Sequence, residues 1–171
     1  MSSWILRVGA ADRRLLQAVA VRRRPALSRF MRGWTRLGDP WAVLALGVLA
    51  LVGALGGHPE GFQAVVTLAL SHLFSQLLKR GVSRPRPFLP EGLRSLVEAP
   101  DRFSFPSGHA SATLALALPL ASVLPVVPAL LLVGGALLVG VSRCYLGVHY
   151  PGDVAAGWSL ALLAWGVVAL L

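Results

Sequence analysis

Residues 127–171 read VPALLLVGGALLVGVSRCYLGVHYPGDVAAGWSLALLAWGVVALL. Two apolar blocks, 127–144 and 153–171, run 18 and 19 residues. At about 1.5 Å of helical rise per residue, each nearly spans a ~30 Å hydrocarbon core. Between and at the edges of these blocks stand Arg143, His149 and Asp153, which are expensive to place beside lipid and so mark a functional site. Three blocks of similar length come earlier, at 40–57, 61–78 and 107–124. The 171-residue chain is 56% hydrophobic and only 13% charged, whereas soluble domains carry about a quarter charged residues. A soluble helical bundle needs polar faces that these blocks lack. The pattern predicts an all-α fold, an integral membrane bundle of about five transmembrane helices.

The connections agree. GGHPEG at 56–61 and the Pro125–Pro128 region are turns, because Gly and Pro break helices. Asp39-Pro40 has the form of a helix start, with Asp as N-cap and Pro in the first helical position. One long connection, about 80–106, is the stretch expected to carry function. There is no internal repeat and no low-complexity tract.

Residues 1–38 differ in kind. They hold nine arginines and no continuous apolar run, so they lack the core of a signal peptide. From Pro25 onward, Leu27, Phe30, Met31, Trp34 and Leu37 share one helical face, and Arg29, Arg32 and Arg36 the opposite one. That predicts an interfacial amphipathic segment lying on anionic membrane lipid. A nucleic-acid-binding arm is the rival for so basic a stretch. Direct attachment to a membrane span favours lipid, and no nucleic-acid partner is expected. The single Cys144 leaves no intrachain disulfide to form and reads as a small apolar filler.

Inside the second block, His72, Ser75, Gln76 and Lys79 fall at i, i+3, i+4 and i+7, a polar stripe expected to face the bundle interior. For His72 the expected role is a structural hydrogen bond between helices. Three clusters remain: KRGVSRPRP (79–87), FPSGHAS (105–111) and SRCYLGVHYPGD (142–153). Lys79, Arg86 and Arg143 supply three fixed cations, suited to a phosphate group. Ser107 and Gly108 open a helix whose free backbone N–H groups bind anions, and Gly108 permits close approach. Pro151-Gly152-Asp153 opens the last span in the same way, so two helix N-termini are expected to converge on one anion. Two histidines beside that anion imply a nucleophile and a proton donor. Asp153, four residues after His149, can fix its tautomer and leave the other ring nitrogen free to attack. His149 is then the nucleophile, and His109 the acid and later the base.

At these residues the chain resembles the type 2 phosphatidic acid phosphatase (PAP2) superfamily. K-x6-RP (Lys79 to Pro87), PSGH (Pro106 to His109) and SR-x5-H-x3-D (Ser142 to Asp153) are similar to its three-part signature in residue type, spacing and order. The resemblance covers roughly residues 40–171. It implies a phosphohistidine on His149 held by Asp153, with His109 as acid and base. It also implies a phosphate held by Lys79, Arg86, Ser107, Gly108 and Arg143, and no metal ion or other cofactor. The implied organisation is a basic segment at 1–38 and a catalytic transmembrane domain at 39–171. One departure is that membrane members commonly have three spans before the first motif, where this chain has two and its arginine-rich segment.

The implied activity is removal of the terminal phosphate from a lipid phosphate or diphosphate. Phosphatidic acid, phosphatidylglycerol phosphate and polyprenyl phosphates or diphosphates all fit the phosphate-holding residues equally. The alternatives are a catalytically silent scaffold or transporter on the same fold, or a haloperoxidase-like member. With five spans, the N-terminal segment and the 79–106 and 145–152 connections share one side of the membrane. All 16 basic residues lie on that side. Excess Lys and Arg mark the cytoplasmic face, so the expected location is the cell membrane with the site facing the cytoplasm. The sequence carries no signal of oligomeric state.

Overall fold

The computed structural model describes residues 3–99 and 101–171, with side chains from residue 9 onward. The side chain of Arg7 and the whole of Met1 and Ser2, parts of the basic segment read above, lie outside the described residues. Seven α-helices follow in order: α1 Ser3–Ala20, α2 Pro25–Trp34, α3 Pro40–Leu55, α4 Pro59–Val82, α5 Gly108–Ala121, α6 Val126–Tyr145 and α7 Pro151–Val168. A short 3-10 turn, Thr35–Gly38, links α2 to α3. Among the described residues the only β-type pairing is a single bridge between Pro85 and Phe103 in the long connection.

The five apolar blocks are all helical. α4, α6 and α7 are long and apolar enough to cross a membrane, and α2 with α3, bent by 53° at the turn between them, counts as a fourth crossing if taken as one span. α5 has only 14 residues. It begins at Gly108 because the chain before it is committed to the site, and it is the central helix, packed against α4, α6 and α7.

The packing is that of a bundle in lipid. The core around α5 is built from small residues, with Ala110, Ala115 and Ala161 fully buried and Leu114 and Ala117 beside them. Large apolar side chains point outward instead, among them Leu44, Leu49, Leu130, Leu131 and Leu163. Lipid tails are as apolar as leucine, so helices gain most by close approach, which small residues permit. The inward stripe of α4 is Ser71, Ser75 and Thr67. Ser71 and Ser111 share a hydrogen bond, and Ser75 Oγ donates to Ser111 Oγ at 3.4 Å. His72 does not join that stripe. It is exposed and pairs with Gln76 on its own helix at 3.3 Å, so its hydrogen bond is not between helices. Small hydroxyls fit the close α4–α5 contact, and an imidazole does not.

The N-terminal segment is helical from Ser3 and docks on the bundle rather than only lying beside it. Leu16 and Ala20 of α1 are buried, and Met31 of α2 packs against Tyr145 and Leu146. Trp34 Nε1 donates to the Gly135 carbonyl of α6 at 3.0 Å. Arg23 Nε donates to the Tyr145 carbonyl at 2.8 Å and its Nη1 to the Arg94 carbonyl at 2.7 Å. Leu27, Phe30 and Leu37 remain exposed, which leaves part of the apolar face for lipid.

α3 and α4 approach closely at Gly61. A Cβ built on Gly61 would collide with the Ala50 carbonyl, whereas one on Gly134 of α6 would meet nothing within 4 Å. Gly61→Ala is expected to destabilise the bundle by roughly 1–3 kcal/mol, the usual cost of overpacking. Gly134→Ala should be neutral or stabilising by up to about 1 kcal/mol, the helix propensity difference. Unfolding of the two variants in one detergent, followed by circular dichroism, checks the contrast.

Candidate active site

The site lies at the end of the bundle where α5 and α7 begin and α4 and α6 finish. α6 ends in the turn Leu146–Gly147, where Gly147 takes φ +83°, a left-handed conformation that glycine adopts without penalty. That turn sends His149 back under the bundle end, 2% exposed. Asp153, in the first turn of α7, is fully buried. Its Oδ2 accepts the Tyr150 N–H at 2.8 Å, capping the helix, and stands 3.6 Å from His149 Nδ1. The opposite ring nitrogen, Nε2, lies 2.9 Å from Arg86 Nη1. An Nε2 lone pair accepting from Arg86 puts the ring proton on Nδ1, which faces the carboxylate at 3.6 Å, a separation longer than a hydrogen bond. Burial is the largest influence on the His149 ring and pushes its pKa down to about 4; Asp153 opposes the shift, and Arg86 and Arg143 add to it. The imidazole is therefore neutral near pH 7, the form with a lone pair to attack.

Asp153 is held from its other side. Arg84 Nη1 donates to Oδ1 at 2.7 Å, and Arg84 Nη2 reaches Asp12 Oδ2 of α1 at 2.8 Å. The guanidinium lies 4.1 Å from the centre of the Tyr150 ring. Asp12 Oδ1 in turn accepts the Gly152 N–H at 2.8 Å. The α7 N-terminus, expected to offer free N–H groups to an anion, is thus capped by two of the protein's own carboxylates. It does not converge on a ligand with the start of α5.

His109 sits in the first turn of α5, with Nε2 3.1 Å from Asp39 Oδ1. Its ring packs on Gly38, where a Cβ would come within 2.7 Å of His109 Cδ2. Arg143 is 2% exposed and donates from Nη1 to Thr35 Oγ1 at 3.0 Å. Its Nε and Nη2 find no partner in the protein, and neither does the buried Ser107 hydroxyl. Buried donors are almost always satisfied, so these unpartnered groups make this the candidate anion site. Arg143, His109, Thr35 and Asp39 line one polar pocket of about 500 Å³. Ser107 is the N-cap of α5, but its own N–H is spent on the Asp153 carbonyl at 2.9 Å. Gly108 is the first helical residue, with open space on its Cβ side.

Lys79 and Arg86 converge on Asp101 of the long connection, at 2.7 and 2.8 Å. Burial alone would raise the Asp101 pKa, but the two cations more than offset it and hold the carboxyl below its ordinary value. Arg86 Nη1 also donates to the Val148 carbonyl at 2.8 Å, which fixes it beside His149. Among the described residues no three His, Cys, Asp or Glu side chains gather in a way that could hold a metal ion.

Several of these contacts were not read from the sequence. Asp39 has the appearance of a helix cap, yet its side chain makes no capping bond and holds His109 instead. Asp12 is the sole acidic residue in the arginine-rich first 38, an anomaly that could have drawn attention. Arg84 stands two residues before Arg86 in an RPRP run and carried the same kind of signal. Nothing local distinguishes Thr35 or Asp101.

Comparison with known proteins gives a consistent result. The profile described as the PAP2 superfamily matches residues 60–171. The decaprenylphosphoryl-5-phosphoribose phosphatase of Mycobacterium tuberculosis is 37% identical over 148 residues, covering 85% of this chain and 80% of that protein. The phosphatidylglycerophosphatase B of Bacillus subtilis is 34% identical over 174 residues, covering 94% and 83%. The crystal structure of the transmembrane PAP2-type phosphatidylglycerolphosphate phosphatase from Bacillus subtilis superposes with a TM-score of 0.77 at 32% identity, covering 95% of this chain and 84% of that one. The profile match, the relatives aligned over most of their length and the superposable bundle together place the chain in the PAP2 superfamily, as a multi-pass membrane protein and a phosphate-ester hydrolase.

Proposed function

We propose that the protein removes the terminal phosphate of a membrane lipid phosphate or diphosphate through a phosphohistidine on His149, without a metal ion. The carrying observation is the orientation of His149: Nδ1 turned to the buried Asp153 at 3.6 Å and Nε2 turned to Arg86 at 2.9 Å. In the first step the Nε2 lone pair forms a bond to phosphorus, the bond to the lipid oxygen breaks, and His109 gives that oxygen its proton. In the second step water attacks phosphorus, His109 takes the water proton, and the P–N bond breaks to release inorganic phosphate and restore both histidines. Asp39 orients His109 for both transfers. Arg143, Arg86, Lys79, the Ser107 hydroxyl and the α5 N-terminus at Gly108 stabilise the charge on the transferring group. For Lys79 and Arg86 this requires exchanging Asp101 for phosphate.

The lipid character of the substrate is supported by a second cavity. An apolar groove of about 680 Å³ runs between α3, α5 and α6, from Trp34, Leu37 and Val139 near the site to His58 and Leu124 at the other end of the bundle. A hydrocarbon tail lying there places its headgroup at the polar pocket. We assign five crossings, α3 to α7, with α5 thinned at the site end, and treat residues 39–171 as the catalytic unit on which residues 1–38 dock. The two relatives named above act, by their names, on a polyprenyl-linked sugar phosphate and on a phosphatidylglycerol phosphate. Both chemistries lie within the class proposed.

The site faces the cytoplasm of the cell membrane in this proposal, because the N-terminal segment with its nine arginines is built of helices that dock at its end of the bundle. Exposed apolar residues of α2 and its exposed Arg29 also suit contact with anionic lipid.

Two outcomes are expected. With labelled phosphatidylglycerol phosphate in excess EDTA, rapid quenching should trap label on His149, and His149→Ala should abolish it. His109→Ala should slow both formation and breakdown of the intermediate by about 10²–10⁴-fold, the usual worth of a general acid or base. Label on Ser107, or activity that EDTA removes and magnesium restores, contradicts the mechanism. For sidedness, Ser95→Cys in a Cys144→Ser background should resist a membrane-impermeant thiol reagent until cells are opened; labelling of intact cells reverses the orientation.

A further inference from the structure

Arg32, Thr35, Arg36 and Asp39 fall at i, i+3, i+4 and i+7 on α2 and the turn that follows it. All four line the polar pocket that holds His109 and Arg143. Two members of this stripe are tied to the reacting centre: Thr35 Oγ1 accepts from Arg143 at 3.0 Å and Asp39 meets His109 at 3.1 Å. The other two are cations without an assigned task. Among the described residues, neither Arg32 nor Arg36 makes a side-chain hydrogen bond or ion pair, while Lys79, Arg84 and Arg86 each hold a carboxylate. Arg29, on the same helix, does not line the pocket.

The pocket is also larger than one phosphoryl group requires. Its roughly 500 Å³ falls in the range of about 300–1,000 Å³ that takes a whole drug-sized ligand. Leu96, Val97 and the exposed Glu98 of the long connection also line it. Asp39 is engaged by His109, so Glu98 is the acid in the pocket lining that pairs with no cation among the described residues. Arg32 is three residues from Thr35, a rise of about 4.5 Å along the helix. A group held by the two arginines is therefore about one short linker away from a phosphate held by Arg143.

We infer that Arg32 and Arg36 form a subsite for a second phosphate of the substrate. The site is then built for lipids with two phosphates, the inner one, a phosphodiester or the first of a diphosphate, held by the arginine pair while the terminal one is set against His149. Guanidinium groups suit this task because they bind phosphate oxygens in a planar, two-pronged way. A lipid with a single phosphate satisfies the reacting centre but leaves the pair unmatched. This rests on the phosphatase reading above and narrows its substrate class.

The test compares kcat/KM for dioleoyl phosphatidylglycerol phosphate and dioleoyl phosphatidic acid, whose tails are identical, using the purified full chain in neutral detergent. The unmodified protein should prefer the two-phosphate lipid. Arg32→Gln with Arg36→Gln should lower that preference roughly ten- to hundredfold, the range for losing hydrogen bonds to a charged group, mainly through KM. Arg29→Gln removes a charge from the same helix and should leave the preference unchanged. Repeating the measurement in neutral vesicles and in vesicles containing phosphatidylglycerol separates a substrate phosphate from a bilayer headgroup of the same chemistry. An unchanged preference in the double variant overturns the subsite. So does an equal loss on both substrates that occurs only in anionic vesicles, which assigns the arginines to bilayer lipid. Phosphate release from neither lipid by the unmodified protein overturns the phosphatase reading and the subsite together. A shared preference with release from both lipids fails the subsite alone.

Discussion

A carboxylate with no exposure to solvent, Asp153, constrains most of the site. A buried charge is tolerated only when donors surround it, because isolated ions in a low-dielectric interior are very costly. Asp153 gathers donors from two parts of the chain, the Tyr150 N–H and the Arg84 guanidinium, and the His149 ring stands beside it at 3.6 Å. Arg84 carries the constraint further, to Asp12 on α1, and Asp12 returns it to α7 through Gly152. Neutralising one carboxylate therefore fixes the start of α7, the long connection and the N-terminal helix around His149.

A parallel constraint acts on the other wall. Arg143 is anchored by Thr35 and His109 by Asp39, so the turn between α2 and α3 clamps α5 and α6 at once. The two walls meet where α7 crosses α5. A Cβ on Gly157 would stand 2.6 Å from the Ser107 carbonyl, and the Ser107 N–H reaches the Asp153 carbonyl at 2.9 Å. Glycine at that crossing brings the cap of α5 against the first turn of α7, which places the Ser107 hydroxyl near both histidine-bearing segments.

The membrane setting explains why these polar networks are confined to one end. Along most of the bundle, small residues face inward and leucines face outward, an arrangement that depends on lipid around it. Ionisable groups cannot be distributed through such a body. They collect where helices start and stop, at one end of an apolar groove. The N-terminal segment adds cations to that same end, and its docking through Met31 and Trp34 is what turns Arg32 and Arg36 toward the pocket.

The helical, membrane-embedded character of the chain and the residue types around His149 were legible without coordinates. Block lengths are set by helical rise against bilayer thickness, and the spacing of His149 and Asp153 is local, within one turn. Such features depend on neighbours in the chain. Asp39, Asp12, Thr35 and Asp101 were not legible, because each acts on a residue distant in sequence: Asp39 on His109, Asp12 on Arg84 and Gly152, Thr35 on Arg143, Asp101 on Lys79 and Arg86. Local rules gave Asp39 to a helix cap and the α7 N-terminus to a ligand, and folding reassigned both. His72 was drawn inward by its spacing, yet the close α4–α5 contact is made by small side chains such as Ser71 and Ser75. Periodicity specifies which residues share a face; which face meets the protein and which meets lipid is set by side-chain size at helix crossings, a property of two segments at once.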